Sequence, residues 1–152
     1  MSEGLVSETI ADVTTTDPVA FARAVAELPA GVFVFQGDEH LVIGANRAAR
    51  MFFGDRPEIV GRPIREVYPE ITGQQLYPLL DRVLTTGEPF TAHEWRIIVE
   101  GHSDGDERFV SFWLVPLSGP DGRRCGVGYQ FVDVTAQVRR RRSAEDDAET
   151  VR

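Results

Sequence analysis

The segment from residue 107 to residue 135 constrains the fold of this chain more than any other part of it. Its sequence, ERFVSFWLVPLSGPDGRRCGVGYQFVDVT, places two long apolar runs on either side of a Gly-Pro-Asp-Gly turn. This pattern is typical of two antiparallel strands joined by a hairpin turn. The second run ends at Asp133, and the strongly charged pattern TAQVRRRRSAEDDAE follows at once. A buried strand that continues into a solvated helix couples the two mechanically, which is typical of a domain that senses and transmits a state.

The overall charge bears on what the chain can bind. The 152 residues carry a formal net charge of −8, with 42% hydrophobic and 26% charged residues, which is ordinary for one globular domain. The basic run from Arg139 to Arg142 is followed directly by Glu145, Asp146, Asp147 and Glu149. Because nucleic acids and anionic membranes attract a basic surface, we expect neither to be a partner of this chain.

Cysteine usage and hydropathy bear on the compartment. Cys125 is the single cysteine, so no disulfide can form within one chain. The first 30 residues lack the basic start and apolar core of a signal peptide, and no apolar run approaches the ~20 residues that span a bilayer. We therefore expect a cytoplasmic protein, since thiols stay reduced there.

The order of elements predicts the fold class. We expect residues 1–16 to be disordered. A helix is predicted over 17–28, where it begins with the Asp17 cap and Pro18. A hairpin of strands 32–35 and 41–43 and a helix capped by Asn46 follow. The proline-rich stretch 55–73 can hold only single helical turns, and a longer helix follows over 74–86. Strands are predicted at 90–99, 107–117 and 124–133, and a polar linker helix at 136–152. This order does not alternate strand and helix, so it predicts an α+β fold. We expect a five-stranded antiparallel sheet with short helices on one face and with flanking N-terminal and C-terminal helices. The predicted domain comprises residues 17–135.

Five motifs occur in the order and spacing of a known family. They are LPAGVFVF, GANRAAR, Gly61-Arg62-Pro63 with the following short helices, LLDRVLTTGEPF, and the closing Asp133-Val134-Thr135. With them, residues 26–137 resemble a PAS domain, and the fold predicted above is the one that this resemblance implies. The family implies a sensory domain of a signal-transduction protein.

A narrower resemblance covers the middle of the chain. The segment REVYPEITGQQLYPLLDRVLTTGEP, followed by Glu94-Trp95-Arg96, is similar to the N-terminal PAS sensor of actinobacterial regulators that carry a metal-dependent, sigma-factor-regulating serine phosphatase. This resemblance implies a role in stress-response regulation, with a phosphatase as the output. The chain itself holds no phosphatase residues, so we expect it not to be an enzyme.

Strand alternation predicts which side chains face the helical block. With tyrosines and a leucine from that block, the candidates for the lining of a pocket are Phe33, Phe35, Tyr68, Tyr77, Leu80, Trp95, Val110, Phe112, Leu114, Tyr129 and Phe131. Ile97 is an alternative to Trp95. These side chains either fill a core or surround a cavity for a small apolar ligand, oriented by tyrosine hydroxyls.

The opposite face of the predicted sheet is also apolar. The predicted interface residues are Val19, Phe21, Val25, Phe109, Trp113 and Val115. A strip of exposed aromatic and branched side chains usually marks an interface, because leaving it in water is unfavourable. The N-terminal helix or a second copy of the chain could cover the strip, and we expect a homodimer.

Known cofactors of such domains can be weighed by the residues that they need. A covalent flavin adduct requires a cysteine in the helical block, whereas Cys125 begins the last strand. Haem requires an axial ligand, but His40, His93 and His102 all lie outside residues 44–88 and are predicted to be surface residues. We therefore expect neither of these cofactors, and a non-covalent flavin or a fatty-acid-like ligand stays open.

The junction between the last strand and the helix is the predicted site of signal transmission. Asp133 and Thr135 can cap the helix, and the family resemblance implies that Asp133 also pairs with a basic residue or a backbone N–H to fix the exit angle. Nearby, Glu94, Arg96, Glu107 and Arg108 predict a surface ion network across strands.

Three functions remain after these observations. The leading interpretation is a sensory and dimerisation module that acts on an output domain of the same polypeptide, since the tail up to Arg152 has no helix stop. A homodimer scaffold with a filled core and no ligand is the first alternative. A small enzyme that uses a tyrosine or aspartate in an apolar pocket is the second, and it would need an inward acidic group that the predicted pocket lacks.

Overall fold

The computed structural model describes residues 8–10 and 13–151, and its helices and strands follow closely from the sequence pattern. The elements are β1 (Glu8–Ile10), β2 (Val13–Thr15), α1 (Pro18–Ala26), β3 (Gly31–Gln36), β4 (Leu41–Ala45), α2 (Arg47–Phe53), α3 (Ile64–Val67), α4 (Pro69–Ile71), a π-helical turn (Thr72–Leu76), α5 (Tyr77–Thr86), β5 (Phe90–Ile98), β6 (Glu107–Ser118), β7 (Arg124–Asp133) and α6 (Thr135–Val151).

Five strands form one antiparallel sheet in the order β4-β3-β7-β6-β5. The short helices between β4 and β5 pack on one of its faces, so the predicted fold class is confirmed. The strands β1 and β2 pair with each other in a separate two-stranded sheet. Both strands lie inside the segment 1–16 that was predicted to be disordered. Residues 1–7 and 11–12 of that segment are outside the described residues.

Close contact between strands requires glycine at one point in the middle of the sheet. Gly126 of β7 faces Gln36 of β3, and a Cβ atom there would lie 2.0 Å from the backbone oxygen of Phe35. Since a backbone oxygen cannot rotate away as a side chain can, only glycine lets the two strands pair here.

The helix predicted to begin at residue 74 begins at Tyr77. Pro78 has no N–H to donate to the carbonyl four residues earlier, so a regular helix cannot include Gln74 in its hydrogen bonding. The chain instead leaves helical geometry at Gln74 (φ −97°, ψ 39°) and Gln75 (φ 76°, ψ 0°) before α5 starts.

The N-terminal helix α1 begins as predicted but covers little of the apolar outer face of the sheet. Asp17 caps α1 by accepting a hydrogen bond from the N–H of Ala20 at 3.1 Å, and Pro18 occupies the first turn. No residue of α1 is buried, and Val19 and Phe21 are 59% and 45% exposed. Ala22, Val25 and Ala26 lie beside Val32 and Val34 around a groove, so the helix meets the outer face of the sheet only partly.

A candidate sensory interior and its exit helix

The interior between the sheet and the short helices is almost completely filled. It leaves a cavity of about 10 Å³. The cavity is lined by Phe33, Phe35, Phe53, Ile64, Tyr68, Ile71, Leu76 and Tyr129. A single water needs roughly 10–15 Å³, so in this state the interior has room for one water at most.

The predicted pocket residues separate into three groups. Phe33, Phe35, Tyr68 and Tyr129 line the cavity, whereas Leu80, Val110, Phe112, Leu114 and Phe131 are buried elsewhere in the same core. Tyr77 and Trp95 are only partly buried and pack against that core, while Ile97, the alternative to Trp95, is buried.

Half of the cavity wall was not among the predicted residues. Phe53, Ile64, Ile71 and Leu76 lie in α2, α3, α4 and the π-helical turn. Each of these elements is at most seven residues long. Elements this short are too brief to show a helical repeat of apolar residues. The available signal for burial was the presence of apolar residues near Pro63, Pro69 and Gly73.

The two tyrosines of the cavity are neutral hydrogen-bonding groups. Tyr68 is 1% exposed and donates its hydroxyl to the carbonyl of Gly54 at 2.7 Å. Burial raises the pKa of Tyr68, although the guanidinium of Arg56 over its ring opposes that effect. Burial also raises the pKa of Tyr129. Both hydroxyls therefore stay protonated at any physiological pH.

His40 is buried, so its prediction as a surface residue was wrong. It is fully inaccessible, and its ring Nε2 lies 2.7 Å from Oδ1 of Asp81 in α5. The centres of the His40 and Tyr77 rings are 5.1 Å apart in a T-shaped arrangement. His102 is half-buried and its Nε2 lies 2.9 Å from the carbonyl oxygen of Phe52, whereas His93 is exposed. The contact of His40 with Asp81 ties the hairpin turn to α5.

The strand-to-helix junction is a compact hydrogen-bonded unit. Oδ1 of Asp133 accepts hydrogen bonds from the N–H of Thr135 at 3.0 Å and from its hydroxyl at 2.5 Å. Oδ2 accepts from the guanidinium of Arg108 at 2.5 Å. The Thr135 hydroxyl oxygen in turn accepts from the N–H of Phe109 at 2.9 Å. Asp133 thus pairs both with a basic residue and with a backbone N–H, and so joins β7 to β6 and to α6.

The first turns of α6 are docked on the sheet. Val138 is 1% exposed, and the guanidinium of Arg142 lies 4.7 Å from the centre of the Phe109 ring. Phe109 is only 3% exposed. The expectation that Phe109 belongs to an exposed outer strip was therefore wrong, because the C-terminal helix covers it.

Ion pairs continue this docking along the helix. Arg139 donates to Asp104 at 2.8 Å and to the carbonyl of Glu107 at 3.0 Å, and Arg141 pairs with Glu94. Of the predicted surface network, Arg96 and Glu107 do pair at 2.6 Å. Glu94 instead pairs with the helix. The involvement of the three arginines of α6 and of Asp104 was not predicted.

Arg108 also differs from its predicted surface role. It is 6% exposed and bridges Asp133 at 2.5 Å and Asp104 at 2.6 Å, while its Nε atom has no hydrogen-bond partner. One buried guanidinium therefore connects the end of β7 to the loop between β5 and β6.

We expect acid to release α6 from the sheet. Burial acts to raise the pKa of Asp133, but hydrogen bonds from Thr135 and Arg108 outweigh it and hold the pKa below its ordinary value. A carboxylate with a lowered pKa stabilises the docked state fully above its undocked pKa of about 3.9, and this contribution is lost as the pH falls through the lower docked value. Backbone relaxation of residues 136–142, measured by NMR from pH 7 to pH 2, should show the helix becoming mobile below about pH 4.

The matched control is Asp133→Asn, which removes the titrating group but keeps its shape. This variant should start from a more weakly docked helix and show a shallower pH dependence. A wild-type pH profile in the variant would mean that Asp133 is not the responsible group.

The outer face of the sheet keeps an apolar surface beyond α6. Trp113 is 37% exposed, Val115 42% and Val132 38%. Trp113 and Val115 stand beside Val32 and Val34 around a shallow groove of about 200 Å³. Among the described residues, no group of three or more histidine, cysteine, aspartate or glutamate side chains could hold a metal ion. No helix in the described ranges is long and apolar enough to cross a membrane.

Comparison with known proteins points to one family. The family model described as the PAS fold matches residues 25–139, which is more than half of the chain. The fold is also similar to that of solved proteins of low sequence identity. An RNA-binding light-oxygen-voltage receptor matches with a TM-score of 0.61 at 21% identity, covering 88% of this chain and 37% of the receptor chain. The PAS domain of Bordetella pertussis BvgS matches with a TM-score of 0.54 at 20% identity, covering 88% of this chain and 99% of that domain.

A third similar structure overturns one expectation. Vibrio cholerae VqmA, a dimer, matches with a TM-score of 0.64 at 19% identity, covering 80% of this chain and 53% of VqmA. VqmA is also known in a complex with a ligand and DNA. The expectation that nucleic acid is not a partner, which was inferred from the net charge, was therefore wrong. A domain of this fold occurs in a protein that binds DNA.

Proposed function

The chain belongs to the PAS-fold family, and from that premise we propose that it is a sensory and dimerisation module whose exit helix α6 acts on an output domain. The observation that carries the proposal is the junction at Asp133 and Thr135. There, one carboxylate and one hydroxyl link the last strand, the neighbouring strand and the first turn of α6. A displacement of β6 or β7 must therefore change the position of the helix.

The division of α6 into two parts supports this role. Its first two turns are docked through Val138, Arg139 and Arg141, whereas residues 143–150 are exposed and highly charged. A helix that is bound to the sheet at one end and solvated at the other can pass a change of docking to whatever follows it.

The sensed quantity is proposed to be a small apolar ligand in the interior. The walls of the cavity are apolar, and the hydroxyl-bearing side chains among its lining residues are Tyr68 and Tyr129. The alternative is a ligand-free dimer scaffold, and the cavity volume of about 10 Å³ favours it. The two differ in whether any small molecule can enter the interior.

We propose that the second copy in a homodimer covers the outer face. Trp113, Val115 and Val132 are apolar side chains of this face, and each stays more than one third exposed. The exposed side chains of α1, Val19 and Phe21, supply further apolar surface for the same interface. VqmA, which has the same fold, is a dimer.

The output domain is proposed from resemblance. The segment 65–89 is similar to the sensors of sigma-factor-regulating serine phosphatases, so a phosphatase that acts in a stress response is the first candidate. An output domain that binds DNA, as in VqmA, is the second. The single cysteine supports a reducing, cytoplasmic setting.

The test is Asp133→Ala in the full-length protein that carries the output domain. Output activity should change at least about threefold, because the loss of charge-assisted hydrogen bonds shifts helix docking by ~1 kcal/mol or more. The dimer, measured by sedimentation equilibrium, should be unaffected. Trp113→Glu is the matched variant that should weaken the dimer and leave α6 docked. An Asp133→Ala protein with unchanged output would refute transmission through this junction.

A further inference from the structure

The closed interior raises the question of how a ligand could reach it. A cavity of about 10 Å³ is far smaller than the roughly 150 Å³ that accommodates benzene in a protein core. Any apolar ligand must therefore displace part of the wall. Which part moves depends on how firmly each lining residue is held.

The sheet side of the wall is held on both sides. Phe33 and Phe35 lie on β3, which pairs with β4 and β7, and Tyr129 lies on β7, which pairs with β3 and β6. Moving either strand would break two ladders of backbone hydrogen bonds. The opposite side of the wall includes Ile71 and Leu76, which flank or belong to the π-helical turn.

The π-helical turn is the irregular part of the wall. Gln74 and Gln75 leave helical geometry, and Gln75 has a φ of 76°, in the left-handed region that favours glycine. Residues held in such a strained backbone conformation occur often at functional positions. The turn lies between the single helical turn α4 and the regular helix α5, so it can rearrange without unravelling α5.

One side chain fastens this turn to the sheet. The amide of Gln74 accepts a hydrogen bond from the N–H of Ile98 at 2.8 Å and donates to the carbonyl of Ile98 at 2.9 Å. It also donates to the carbonyl of Glu70 at 2.9 Å. Strand β5 is at the edge of the sheet, so the Gln74 amide takes the place that a neighbouring strand would occupy.

We propose that the π-helical turn is a gate that is held shut by the two hydrogen bonds between the Gln74 amide and the backbone of Ile98. These two bonds are the clasp, and a small apolar ligand enters the interior when the clasp opens. The proposal rests on the proposed ligand-sensing function. Release of the two bonds to Ile98 frees the turn, Ile71 and Leu76 move outward together, and the cavity between them and Tyr129 expands. The clasp controls the rate of ligand access, whereas the walls determine the affinity.

The experiment uses the full 152-residue chain with benzene as the probe. Methyl resonances of Ile64, Ile71 and Leu76 report benzene in the interior, and those of Val115 report adsorption on the outer face. Gln74→Ala should increase amide exchange at Ile98 by about tenfold, since two hydrogen bonds are lost, and benzene exchange should accelerate severalfold. Gln75→Gly should relieve the left-handed strain of the closed turn and slow benzene exchange.

The matched control is Gln137→Ala on the exposed side of α6, which should change neither rate. If Gln74→Ala frees the Ile98 amide while benzene enters at the wild-type rate, the gate is refuted and ligand sensing stands. If benzene perturbs no interior methyl group in the wild type or in either variant, both the gate and the ligand-sensing function are refuted. Gln75→Gly keeps the test decisive should Gln74→Ala fail to fold.

Discussion

Replacing Asn46 by alanine should lower the free energy of unfolding by about 2–4 kcal/mol, because it leaves buried backbone groups without partners. The side chain is 6% exposed and makes four hydrogen bonds. Its Oδ1 accepts from the N–H groups of Val32 at 2.8 Å and Ala49 at 3.1 Å. Its Nδ2 donates to the carbonyls of Val25 at 3.1 Å and Ala30 at 2.8 Å.

Asn46→Asp is the matched variant for this experiment. It keeps the acceptor for Val32 and Ala49 but places a carboxylate oxygen against the carbonyl oxygens of Val25 and Ala30, so at neutral pH it should lose at least as much stability as alanine does. Urea denaturation followed by circular dichroism gives both values. An alanine variant within about 0.5 kcal/mol of the wild type would show that these bonds make no net contribution.

Asn46 also shows how far the sequence predicts this fold. The cap of α2 was predictable, because asparagine before an apolar helical pattern is a local signal. The bonds to Val32, Val25 and Ala30 were not, since they join residues up to 21 positions apart. Local signals were enough for the elements and their antiparallel order, and the contacts that lock them together depend on the tertiary structure.

The interior was predictable where the chain is periodic. Strand alternation identified Phe33, Phe35 and Tyr129 because a strand repeats every two residues. Ile64 and Ile71 lie in helical pieces of one turn, where no period can be counted. His40 was misplaced for a related reason: its partner Asp81 lies 41 residues further along the chain, so its turn sequence alone indicated a surface position.

The exit helix α6 was predicted as a polar linker. Its docking on the sheet was not predicted, because its many charged residues indicated a solvated helix. Four consecutive arginines indicated a solvated face, but Arg139, Arg141 and Arg142 each contact the sheet. Long arginine side chains can cover apolar surface such as the Phe109 ring while keeping their charged ends in contact with water. A single buried valine, Val138, was the one apolar signal in this part of the helix.

Arg108→Ala should release α6 while the sheet stays folded. The guanidinium is buried and is shared by Asp133 and Asp104, so its removal leaves Asp133 without its cation, whereas Asp104 keeps its pair with Arg139. Both partners keep some contact with solvent, and the cost is therefore smaller than for a fully buried pair, about 2 kcal/mol of docking free energy. Amide exchange at Val134 and Val138, which donate to Phe109 and Val134, should accelerate about thirtyfold.

Three variants separate this effect from a general loss of charge. Arg96→Ala removes an exposed pair with Glu107 and should change docking by less than about 0.5 kcal/mol. Arg108→Lys keeps the charge but cannot fork between two carboxylates, so it should restore only part of the protection. Combining Arg108→Ala with Asp133→Ala should cost much less than the sum of the two single changes, because each removes the same interaction. Additive losses, or full protection in Arg108→Ala, would show that the helix is held by Val138 and the outer arginines alone.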